Sequence, residues 1–192
     1  MDEKLNWRWV LAVTACLASA ACSGAMRMTT FTNPEFDFGY VERVAVLPLD
    51  NLSKDDQAGE RATRMLITEL LASGAVDVVE PGELRAAMQT LRVDRTTPTS
   101  EQVVALGKQL QVQAVITGSV TQSETLRSGS TQVPVVTLDL HMLETESGRP
   151  IWAATHTEKG SGAGAAILGT GAEPISKTTR RCMRRAIATL VR

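Results

Sequence analysis

The segment from Val136 to Glu158 restricts the fold more than any other part of the chain. Val136, Leu138, Leu140 and Met142 alternate with Thr137, Asp139 and His141, the two-residue period of a strand with one buried and one wet face. Ser147-Gly148 interrupts the pattern, and a second strand-like run spans Ile151 to Glu158. Two such runs around a turn dipeptide predict a β-hairpin. If Ser147-Gly148 is a two-residue turn, Asp139 opposes His156, His141 opposes Ala154, and Leu143 opposes Trp152.

Upstream, strands and helices alternate. Val41 to Leu49 is β-branched and apolar, as in a buried first strand, and Asn51 to Asp56 is a polar loop. Apolar residues at 62, 65, 66, 70 and 71 follow the helical period until Gly74, a natural helix terminator. Val76, Val78 and Val79 form a second strand closed by Pro81-Gly82, and Leu84, Ala87, Met88 and Leu91 mark a second helix. Thr99 and Gln102 have the spacing of a capping box for a third helix carrying Val103, Leu106 and Leu110. A third strand covers 114–120, a turn-rich loop 127–132, and a last helix starts near Ser176 with Thr179, Met183, Ala186, Ile187 and Leu190 on one face. The predicted fold is α/β: one domain over 41–192, a mixed sheet of about five strands covered by helices, in the order β-α-β-α-α-β-β-β-α.

The amino terminus reads as an address. Lys4 and Arg8 precede an uncharged run, Trp9 to Ala18, that is shorter than the roughly 20 residues of a spanning helix. Small residues Ser19-Ala20-Ala21 follow, the form of a secretory signal over 1–21. The next residue, Cys22, resembles the acylated cysteine of a bacterial lipobox, with Ser19 standing where such boxes prefer an aliphatic residue. Val13 to Cys16 meets that preference but leaves an apolar core of about half a dozen residues, too short for a signal. Residues 22–40 lack a period and read as a tether, with Phe31, Phe36, Phe38 and Tyr40 available to pack on the domain. Cys16 leaves with the signal and Cys22 carries lipid such as palmitate, so Cys182 remains alone and no internal disulfide is expected. By resemblance to enterobacterial sorting, Ser23 favours the outer membrane.

Several stretches together resemble a known group. VAVLPLDNLS, AVITGSVTQ and VVTLDLHMLETESGRPIW, with Thr145, Gly148 and Trp152 in the hairpin, are similar to the CsgG-like and TolB amino-terminal-like envelope proteins. That group includes the curli secretion-channel subunit and the lipoprotein activators of penicillin-binding proteins. The resemblance implies an α/β periplasmic domain that acts by binding.

Nothing in the chain builds an enzyme by motif. The Gly-rich stretch 160–171 lacks the GK[ST] ending of a phosphate loop and reads as a flexible connection. It is also too short for two membrane strands of about 9–11 residues each, and the loop at 127–134 is shorter and polar. An Asp139–His156 pair would lack a nucleophile and reads as a surface cross-strand pair. Leu143 and Trp152, on the face away from Leu140, are either covered by a helix or exposed as a docking patch. Arg180, Arg181, Arg184 and Arg185, with Arg192, lie on the polar side of the last helix, as a solvated face or a contact for anionic lipid, lipopolysaccharide or peptidoglycan. The three cysteines have no metal-ligand spacing, and the net charge of −1 gives no electrostatic case for nucleic acid. No cofactor, metal or catalytic residue is expected. The expected molecule is an outer-membrane lipoprotein facing the periplasm, an accessory or assembly factor of an envelope complex with a protein partner, and self-associating. A secretion-channel subunit and a contact activator of a peptidoglycan synthase are the alternatives.

Overall fold

The alternating hairpin forms the middle of a seven-stranded mixed sheet. The computed structural model describes residues 28–93, 97–128, 131–160 and 173–190. The elements run β1 (Met28–Thr32), a 3-10 turn (Phe38–Tyr40), β2 (Arg43–Val46), β3 (Asp50–Asn51), α1 (Ala58–Ser73), β4 (Asp77–Val78), α2 (Pro81–Leu91), α3 (Ser100–Leu110), β5 (Ala114–Ser128), β6 (Thr131–Glu144), β7 (Pro150–Lys159) and α4 (Ile175–Ile187). Strand order is β1-β7-β6-β5-β2-β4, with β3 pairing separately with β5. The β2, β3 and β4 pairings are parallel; those joining β5, β6, β7 and β1 are antiparallel. The signal segment 1–21, Cys22 and nearly all of the Gly-rich stretch lie outside the described residues.

Helix ends follow local chemistry. α1 stops at Gly74, whose φ of 65° is the left-handed turn that glycine adopts without a Cβ penalty. α3 opens on the expected capping box: the Thr99 hydroxyl accepts from Gln102 N–H, and the Gln102 side chain accepts from Thr99 N–H. Pro81-Gly82, expected to close a strand, instead begins α2. Proline needs no N–H partner in a first turn, and Glu80 caps the helix by accepting from Gly82 and Glu83.

Two apolar layers flank the sheet. α1 and α4 bury Leu66, Leu70, Met183 and Ala186 against Val44, Ile116, Leu138, Leu140 and Met142. α2 and α3 bury Leu84, Met88, Val103 and Leu106 on the other face against Ala45, Leu47 and Val115.

Three further expectations change. Residues 28–32, placed in a tether, add an edge strand to β7; all five side chains are exposed, so backbone pairing forms it and no apolar alternation marks it. Asn51, placed in a loop, joins the short β3. The loop expected at 127–132 is strand: β5 and β6 stay paired out to Ser128 and Thr131. That extension is polar and projects into solvent, so hydrophobic periodicity cannot reveal it.

Candidate functional site

The β6–β7 connection decides where the predicted docking residues point. It is a five-residue loop, Thr145 to Arg149, and the ladder shifts between Met142 and Leu143. The Thr145 hydroxyl donates to the Val112 carbonyl at 2.6 Å and approaches that of Gln113 at 3.1 Å, tying the loop to the entry of β5. Pairing is therefore offset by one residue from the two-residue-turn expectation: Met142 opposes Trp152, Leu138 opposes His156, and His141 opposes Ala153. A one-residue slip exchanges faces. Trp152 thus turns into the core beside α4, 1% exposed, and its indole N–H donates to the Thr189 hydroxyl at 3.1 Å. Leu143 lies on the opposite face, part-buried against the α2–α3 layer. The structure does not bring the two together: Trp152 is buried and Leu143 is part-buried on the other face.

The same slip carries His156 and Glu158 under α4. Glu158 is 5% exposed and accepts from three sides: Arg181 Nε at 2.6 Å, Arg185 Nη1 at 2.7 Å, and His156 Nε2 at 3.1 Å. A buried carboxylate is costly unless paired, and here two guanidiniums pair it. Arg181 also donates to Glu173 at 2.9 Å. Burial works against the Arg181 charge, but the bond to Glu158 and the charges of both carboxylates outweigh it and raise its pKa. Arg184 and Arg180 reach Glu69 on α1 at 2.8 and 3.6 Å. Arg180, Arg181, Arg184 and Arg185, expected to form an anion-binding face, therefore each have a carboxylate within the protein, and Arg192 lies outside the described residues. Cys182 is buried on the same helix, and desolvation pushes its thiol up to about 12.

On the opposite face, Asp139 and His141 are neighbours along one strand, 3.1 Å apart, rather than a cross-strand pair with His156. The Thr155 hydroxyl donates to Asp139 Oδ1 at 2.7 Å, so its proton points at the carboxylate and not at the imidazole. A base–nucleophile relay is not assembled there. Thr137 and Thr157 continue the polar row with hydroxyls 2.9 Å apart. α2 and α3 cover the β2 and β5 end of this face and reach β6 at Leu143, and Phe31 on β1 stands 48% exposed at its far edge. Among the described residues, no group of three or more His, Cys, Asp or Glu side chains is placed to hold a metal.

A large concavity lies elsewhere, between α1 and α2 at the carboxyl end of β2, the position at which α/β sheets present ligand crevices. Its volume is about 1310 Å³. α1 contributes Glu60, Thr63, Arg64 and Ile67, a single helical stripe, and α2 contributes Leu84, Arg85, Met88 and Gln89. Arg92, the left-handed cap of α2, closes one end; its carbonyl accepts from Gln102 Nε2 at 3.1 Å. Arg64 pairs with Glu60 at 2.7 Å, whereas Arg85 and Arg92 have no carboxylate partner among the described residues. Sequence reasoning missed this site because its residues sit at helical spacing on two separate helices, and each stripe alone reads as an ordinary amphipathic face.

No curated protein matches the sequence. Among solved structures the chain is similar to PelC from Paraburkholderia phytofirmans, described as a dodecamer, at 17% identity over 86% of this chain and 97% of that one, with a TM-score of 0.58. It is similar to the hypothetical protein CT253 from Chlamydia trachomatis at 11% identity over 78% and 95%, with a TM-score of 0.54. The LpoB C-terminal domain from Salmonella enterica aligns at 17% identity over 65% and 86%, with a TM-score of 0.48. At these identities the likenesses concern fold. The sequence itself matches the family described as peptidoglycan-synthase activator LpoB over residues 12–157. Of the envelope proteins that the sequence resembles, the activator lipoproteins are the part this match supports. The chain belongs to the peptidoglycan-synthase activator LpoB family.

Proposed function

We propose that the chain is a lipoprotein, acylated at Cys22 and held on the periplasmic side of the outer membrane, that stimulates a peptidoglycan synthase by protein contact. The family match across residues 12–157 carries this reading. The surfaces are consistent with binding rather than chemistry: Asp139 and His141 lack a relay to a hydroxyl, and the buried His156 and Glu158 are engaged in bracing α4. The test is reconstituted glycan polymerisation by a purified synthase of the same bacterium, with and without the lipoprotein. A saturable, several-fold rise in rate at near-stoichiometric lipoprotein is expected; an unchanged rate rejects the proposal. Cys22→Ala, fractionated beside the wild type, tests the anchor separately: the variant is expected in the soluble periplasmic fraction and without acyl mass.

Self-association is a second reading, supported by β1. Its outer edge has no described neighbour, and Met28 and Phe31 are exposed beside it. Unpaired edges of this kind template pairing with another strand. The PelC structure, described as a dodecamer, offers a precedent on a similar fold. Mass measurement in detergent, with Thr30→Pro to block the edge, is expected to show oligomers that the variant lacks.

A further inference from the structure

The arginines of α4 and those around the α1–α2 cleft differ in their pairing. The arginines of α4 are neutralised by Glu69, Glu158 and Glu173. Among the described residues those around the α1–α2 cleft are not: Arg64, Arg85 and Arg92 face one carboxylate, Glu60, and its exposed pairing with Arg64 contributes little and exchanges readily. Beneath these charges the apolar lining open to solvent is Pro48, Ile67 and Pro81, while Leu84 and Met88 are nearly buried. An apolar floor between two helices with a cationic rim is the complement of an amphipathic segment bearing acidic residues, the helix-in-groove mode of recognition.

Size and spacing favour that occupant over the other anionic ligands. The volume of about 1310 Å³ exceeds the roughly 300–1,000 Å³ typical of small-molecule pockets. Arg85 on α2 and Arg92 at its cap are seven residues apart, about 10 Å or two helical turns, a spacing matched by carboxylates two turns apart on a bound helix. Among the described lining residues none is aromatic, which leaves a sugar ring no flat surface to stack on.

We infer that the α1–α2 cleft is a docking groove for an acidic, amphipathic segment of a protein partner, with its apolar side on Pro48, Ile67 and Pro81 and its carboxylates on Arg85 and Arg92. That the partner is the synthase rests on the function proposed above; the groove's preference does not.

The probe is a synthetic helical peptide with leucines on one stripe and glutamates two turns apart on its flank. It is titrated by fluorescence anisotropy into the full chain purified in detergent. Hydrogen exchange maps the contact. Binding is expected with new protection over 60–67 and 81–92, and with at least a tenfold loss of affinity for Arg85→Glu/Arg92→Glu. A peptide with lysine in place of glutamate should recover binding to that variant, which a merely structural effect would not produce. Arg92→Gln serves as the milder change should the double variant unfold. Equal binding by wild type and variants, protection elsewhere, or binding of phosphatidylglycerol vesicles without binding of the peptide would each overturn the groove. In the polymerisation assay, stimulation that survives Arg85→Glu/Arg92→Glu removes the groove from synthase contact and leaves the proposed function standing. Absence of stimulation by the wild type removes the function and leaves the peptide result to judge the groove.

Discussion

Replacing Glu158 by glutamine tests whether the α4 arginines hold the molecule together or serve its surface. The substituted side chain would keep the shape, but its amide offers one acceptor where the carboxylate serves Arg181 at 2.6 Å, Arg185 at 2.7 Å and His156 at 3.1 Å. Bonds to charged groups contribute about 1.5–3 kcal/mol each. The Arg181 and Arg185 side chains are 32% and 55% exposed and can turn outward to water, so the loss falls below the sum of two such bonds, at about 2–3 kcal/mol. For a domain of this size each kcal/mol shifts Tm by about 2–4 °C, which gives a drop of about 5–10 °C in a thermal melt followed by circular dichroism. Arg185→Ala should follow in the same direction. Arg180→Ala, whose exposed side chain stands 3.6 Å from Glu69 while Arg184 keeps the closer bond to that carboxylate, should change stability by less than about 0.5 kcal/mol. A Glu158→Gln melt within about 1 °C of wild type would refute the reasoning, because α4 would then be held by its apolar face alone.

Trp152→Ala empties a fully buried site and is expected to cost about 3–5 kcal/mol in urea unfolding, while Trp152→Phe, losing the bond to Thr189, should cost clearly less. The Asp55 carboxyl is held below its usual range, chiefly by the Arg61 guanidinium, with Ser123 and the Gln57 amide adding to it against the opposing effect of burial. A lowered folded-state pKa means stability that is fully present above the unfolded value, about 3.9, and lost as pH falls through the folded one. The urea midpoints of wild type and Asp55→Asn should therefore run parallel above about pH 5 and converge in acid. Cys182, buried and with its pKa pushed up to about 12, should resist iodoacetamide at pH 8 in the native chain and react once the chain is unfolded in urea.

The sheet was legible where one face is buried and the other is wet. Leu138, Leu140 and Met142 are core residues as their alternation requires, and the Thr99–Gln102 box starts a helix as its spacing requires. The hairpin register was not legible. Thr145 is anchored to Val112 and Gln113, residues far from it in sequence, and that anchor lengthens the turn to five residues. The resulting one-residue offset moves Trp152, His156 and Glu158 from a surface to the core, and with them the environment of the α4 arginines. β1 was hidden for the opposite reason: none of its side chains is buried, so its sequence carries no trace of the pairing. The cleft arises from two helices on opposite faces of the sheet that border one of its ends only in the folded chain, and no local pattern encodes it.

The early start of β1 also fixes a leash. From Cys22 to Met28 the backbone can extend to about 20 Å at most, because each residue adds no more than about 3.3–3.6 Å. A chain acylated at Cys22 would keep the β1 edge within that distance of the lipid headgroups, whatever path the intervening residues take. The domain could swivel but not travel, and a synthase it stimulates would have to bring its own contact surface out to the outer membrane to be met.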